Sequence, residues 1–65
     1  MRVARIDSTT GIVINIEVAY DGWIAEQAPI PGELLIESTD ANPATIGLSY
    51  DEATGLFEQP PAPPA

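Results

Sequence analysis

Two loops of this 65-residue chain are spelled almost alike, and they constrain its fold more than any other feature. Asp7-Ser8-Thr9-Thr10-Gly11 and Asp51-Glu52-Ala53-Thr54-Gly55 both read D-x-x-T-G, and each lies between apolar segments. An Asp at the head of such a loop accepts backbone N–H groups a few residues ahead and starts a type I turn. A Gly at its end takes positive φ without steric cost, so the chain reverses and enters the next strand through a bulge. Asp7, Gly11, Asp51 and Gly55 are therefore read as turn-forming. The chain should open with one β-hairpin and close its folded part with another.

The segments around these turns agree. Ile12, Ile14, Ile16, Val18 and Tyr20 alternate with Val13, Asn15, Glu17 and Ala19. A period of two with β-branched residues on one face predicts a half-buried strand. In this reading the isoleucine face is inward, and Val13 and Glu17 face outward, with Glu17 in solvent. Arg2, Ala4 and Ile6 share one face of the preceding strand, and Val3 and Arg5 share the other. Leu34-Leu35-Ile36-Glu37 reads as a middle strand. Thr45 to Tyr50 reads as a further strand with Ile46, Leu48 and Tyr50 on one side. Between them, Asp21-Gly22 breaks the chain, and a short helical turn over Gly22 to Gln27 is expected, with Asp21 as its cap. Pro29 and Pro31 exclude a helix or a central strand over Ala28 to Gly32. The expected class is all-β: a small antiparallel sheet of two hairpins plus a middle strand. Residues 1–58 form the β domain, and 59–65 form an extended proline-rich arm.

Size and composition narrow the function. A chain this short buries only roughly 60% of its unfolded surface, and small folds are usually supported by disulfides, a metal or other chains. Cysteine and histidine are both absent, which removes disulfides and the common transition-metal ligands. Burial against neighbouring chains is the support that remains, so a homo-oligomer or multi-copy assembly is expected. Ten carboxylates face two arginines, for a net charge of −8. That balance disfavours nucleic acid and anionic membranes as partners. No apolar run approaches the ~20 residues needed to cross a bilayer, and Met1-Arg2-Val3-Ala4-Arg5 lacks an apolar stretch of signal length behind its charge.

Catalysis finds little to work with. Ser8, Ser38 and Ser49 have no histidine or lysine to activate them. The carboxylates sit in no apolar cleft that would tune an acid–base pair. Asp40-Ala41-Asn42 and Asp51-Glu52 offer oxygen ligands, but neither matches the spacing of a calcium loop, and turn chemistry accounts for both. The sequence thus predicts a non-enzymatic chain with no cofactor and no metal. Trp23, Tyr50 and Phe57 are the aromatic candidates for interface anchors. Pro60, Pro61, Pro63 and Pro64 are candidates for an arm that docks at low entropic cost in a neighbour's groove.

The segment Ile46-Gly47-Leu48-Ser49-Tyr50-Asp51-Glu52-Ala53-Thr54-Gly55-Leu56-Phe57, followed by prolines, resembles an ending of small tailed-bacteriophage proteins that reads I/V-G-W-x-Y-D-x-x-T-G-x-F-x-x-P-P. The hairpin Arg5-Ile6-Asp7 to Gly11-Ile16 and the Asp21-Gly22-Trp23 element resemble the same group. Leu48 departs from the pattern, which usually has tryptophan there. The resemblance covers about half of the chain and implies no catalytic residues. It implies a structural component of a phage particle, associated with the tail or tail fibres, whose partners are other virion proteins. A capsid-decorating (cement) protein and a non-virion tail assembly factor are the alternatives. The implied location is the virion, after synthesis in the bacterial host cytoplasm.

Overall fold

A computed structural model describes residues 1–60. Five strands and one helical turn follow in the order β1 (Arg2–Asp7), β2 (Val13–Val18), α1 (Trp23–Glu26), β3 (Glu33–Ser38), β4 (Ser49–Asp51) and β5 (Leu56–Glu58). The fold is all-β. One antiparallel sheet has the order β2-β1-β3, and a second pairs β4 with β5. The arm from 61 onward lies outside the described residues.

The two D-x-x-T-G turns repeat each other bond for bond. The N–H of Gly11 donates to the Asp7 carbonyl and that of Gly55 to the Asp51 carbonyl, both at 2.7 Å. The N–H two residues after each Asp donates to its Oδ1 at 2.8 Å, from Thr9 and from Ala53. The threonine hydroxyls accept from the residue after the glycine, Thr10 from Ile12 and Thr54 from Leu56. Both glycines have φ of 74°, a left-handed conformation that a Cβ would penalise.

The turns also join the sheets. Tyr50 N–H donates to the Gly11 carbonyl, Val13 N–H to the Leu48 carbonyl, and Gly47 N–H to the Val13 carbonyl, at 2.8 to 2.9 Å. The start of β2 is therefore paired on both sides, to β1 and to the segment leading into β4. This corner folds the second hairpin over one face of the first sheet. Between them lies the core of Ala4, Ile6, Val13 and Ala44, with Ile16, Leu34, Ile36, Leu48, Tyr50 and Phe57 packed around it.

Three local expectations are corrected. Val13 is buried and Ile14 is 45% exposed, the reverse of the expected faces. The cause is a bulge: Ile6 pairs with Val13 but Arg5 pairs with Asn15. One extra residue inverts the parity of a strand, so Val13 points inward before the bulge and Ile16 points inward after it. The strand expected over Thr45 to Tyr50 is only β4. Thr45 to Leu48 forms a turn closed by Leu48 N–H on the Thr45 carbonyl, which leaves Ile46 exposed. The helical turn is present, but Gly22, not Asp21, is its N-cap, and no side chain caps it.

Candidate interaction surface

Arg5 sits in the central strand, and its guanidinium reaches across to both neighbours. Nη2 donates to both oxygens of Glu17 on β2 at 2.9 and 3.0 Å, and Nη1 donates to Glu33 Oε2 on β3 at 3.2 Å. The side chains of Arg5, Glu17 and Glu33 are 19%, 30% and 27% exposed. The expected solvated Glu17 is thus a half-buried ion-pair partner. Register explains this: Glu17 lies opposite Val3 and Glu33 opposite Asp7, each two positions along from Arg5 and on its face. The diagonal spacing is within reach of long side chains. The Glu17 hydrogen bond, followed by weaker charge and bonding contributions from both carboxylates, holds the Arg5 guanidinium above its ordinary value against the opposing effect of burial. One cation therefore bridges two carboxylates and ties three strands together.

The aromatic residues divide between interior and surface. Tyr50 and Phe57 face each other across the second hairpin, ring centroids 5.2 Å apart, and both pack on the core. They serve the interior of the two-sheet fold more than its outer surface. Trp23 is half-buried in α1, which lies against β3. Tyr20 is exposed, and its hydroxyl donates to the Glu26 carboxylate, which raises the phenol above its ordinary ionisation range. Pro60 is exposed; Pro61, Pro63 and Pro64 lie outside the described residues.

Two polar residues not singled out as sites prove structurally specific. Asn42 offers its side-chain amide to β5 like a strand: Nδ2 donates to the Gly55 carbonyl at 2.8 Å, and Oδ1 accepts from Phe57 N–H at 3.0 Å. Ser38 is buried, and its Oγ accepts from Ala44 N–H at 2.8 Å. Both lie at the ends of the polar 38–43 loop, where local self-bonding is the general expectation. Nothing in the local spelling distinguishes a bond that reaches across 13 or 15 residues. Asn42 is thereby committed to β5, and Asp51 Oδ1 to its own turn. Among the described residues, no group of three or more acidic side chains is placed to hold a metal ion.

The sheet edges are unequal. Along β3 the edge carries the exposed Glu37, while its Glu33 is paired with Arg5; charge on an edge opposes strand addition. The Asn42 amide covers β5. The outer edge of β2, past the corner at Val13, has neither protection. Over Ile14-Asn15-Ile16-Glu17-Val18 the one charge is Glu17, which is drawn onto Arg5, and Val18 is 86% exposed. On the opposite side of the molecule, a groove of about 220 Å³ lies between Ile24, Gln27, Ala28 and Pro29 and the β3 residues Leu34 and Leu35. It is below the usual size of a small-molecule site.

No family model matches the chain, and no curated protein or solved structure matches it significantly.

Proposed function

We propose that this chain is a non-enzymatic structural component of a tailed-phage particle, associated with the tail or tail fibres and stabilised by packing against neighbouring subunits. The observation that carries the reading is the imbalance between core and surface. Among the described residues the fully enclosed apolar side chains are Val3, Ala4, Ile6, Val13 and Ala44, whereas Ile14, Val18, Tyr20, Ile30, Ile46 and Leu56 remain exposed. Two of the five enclosed side chains are alanine, which buries little, and as many large apolar groups stay exposed as pack half-buried on the core. Such a fold gains stability when a neighbour covers those groups. The phage context rests on the resemblance of Ile46 to Phe57 and the first hairpin to small tailed-phage proteins.

Mass spectrometry of purified particles tests this role. The expected result is the peptide in intact particles at a fixed copy number, recovered with tails after heads and tails are separated. Recovery with heads would replace the tail assignment by capsid decoration. Abundance in the infected-cell lysate with absence from particles would overturn the structural role in favour of an assembly factor.

A further inference from the structure

We propose that the outer edge of β2 is a self-pairing surface, on which a second copy of this chain adds its own β2 antiparallel about a two-fold axis at Ile16. This names a partner for the assembly reading of the preceding section, yet it can fail independently of the phage role.

The hydrogen-bonding phase of β2 comes first. Met1 and Ala19 exchange both backbone bonds, amine to carbonyl and N–H to carbonyl. Bonded and non-bonded pairs alternate along an antiparallel ladder. With Ala19 turned toward β1, Glu17 and Asn15 are also turned toward β1, opposite Val3 and Arg5. Ile16 and Val18 therefore turn their N–H and C=O groups outward. Among the described residues, nothing pairs with them. Val13, by contrast, is already bonded to Leu48 and Gly47, so the open edge begins past it.

Charge selects the occupant and the register. A chain of net charge −8 repels its own copy over most approaches. The β2 edge carries a single carboxylate, and that one is paired with Arg5. A two-fold axis at Ile16 sets Glu17 of each copy opposite Asn15 of the other and aligns Ile14 with Val18. An axis at Glu17 would instead set two carboxylates face to face, which is destabilising. The open stretch is thus centred where a symmetric pair avoids the charge clash. The same operation extends β2-β1-β3 into a six-stranded sheet and removes the unguarded edge.

Amide hydrogen exchange of the full chain by NMR, from about 10 μM to about 1 mM, tests the pairing. The Ile16 and Val18 amides should be exchange-labile when dilute and become protected as concentration rises, in step with the dimer fraction from sedimentation. Glu17 and Asn15 should be protected throughout. Val18→Pro deletes an outward donor at a position 86% exposed and should weaken dimerisation about tenfold or more, since the loss occurs in both copies. Val18→Thr keeps the donor and should dimerise nearly as well. Ile16 and Val18 amides that exchange freely at every concentration would overturn the proposal, whatever the fate of the proline variant. So would protection that does not depend on concentration, which would mean that the chain covers its own edge. Particles that contain the chain with a freely exchanging β2 edge would refute the pairing and leave the structural role standing.

Discussion

Replacing Arg5 by methionine tests how the three-stranded sheet is held at its centre. Methionine keeps the unbranched apolar stem and removes the guanidinium. The loss comprises the paired bonds to Glu17 at 2.9 and 3.0 Å and the bond to Glu33 at 3.2 Å. Hydrogen bonds to charged groups contribute about 1.5–3 kcal/mol each when well buried. These side chains are 19% to 30% exposed, so water recovers part of that and screens the pair. A total of about 2 kcal/mol is the reasoned cost, including the repulsion left between two unneutralised carboxylates. For a domain of this size, that corresponds to a fall in Tm of about 8–16 °C. Circular dichroism melts of dilute protein would measure it. Removing the whole cluster should hurt less than removing its cation alone, because no uncompensated charge is then left in the sheet. Arg5→Met combined with Glu17→Gln and Glu33→Gln should therefore melt above the single variant. A single variant within about 3 °C of the parent, or a triple variant no better than the single, would refute the reasoning.

Three further outcomes follow from the same geometry. Gly11→Ala and Gly55→Ala should each cost about 1 kcal/mol by equilibrium denaturation, since both positions have φ of 74° and a Cβ would meet only the Tyr50 carbonyl, at 3.7 Å from Gly11, in ordinary contact; Gly→Asn should cost less, and unchanged stability in all variants would refute a left-handed glycine in these turns. Asn42→Leu should destabilise by about 1–3 kcal/mol in the same assay, because it strips both the Gly55 carbonyl and the Phe57 N–H of their partner. Tyr20 should ionise above 10.0, the ordinary value for a phenol, in an NMR pH titration, since its hydroxyl donates to Glu26, and Glu26→Ala should return it. The sign follows from linkage: the folded-state value is raised, so this bond supports folding below pH 10.0 and loses that effect as pH climbs through the raised value.

Much of the fold was legible because its signals are local. D-x-x-T-G states a complete turn within five residues, and the structure uses Asp7, Thr10 and Gly11 in the same bonds as Asp51, Thr54 and Gly55. Leu34 and Ile36 share the inward face that their spacing implies. Reading stopped where tertiary partners decide. The bulge at Ile14 carries no glycine or proline to announce it; it arises from fitting Val13 to Ile6 and Ile16 to Ala4 on one strand, and it reverses the faces of Val13 and Ile14 while Ile16 stays inward. Alternation places Glu17 on an outward face and says nothing of what stands beside it. Its partner Arg5 is 12 residues away, and Arg5 recruits Glu33 from 28 residues away. The Thr45 to Tyr50 strand failed in its first half because the chain turns there to reach the β2 corner, leaving Ile46 exposed. The proposed pairing edge is the least legible, since an open sheet edge exists only once strand order is known. Trp23, Tyr50 and Phe57 drew attention as aromatics, while the unguarded backbone lies at Ile16 and Val18.

The decisive measurement is a reconstruction, at a resolution that traces side chains, of the tailed-phage particle proposed to contain this chain. This chain should stand there as an ordered five-stranded unit, with its exposed apolar residues covered by neighbours and a second β2 alongside Ile14 to Val18. A particle in which every subunit is accounted for and this chain has no place would contradict the structural role.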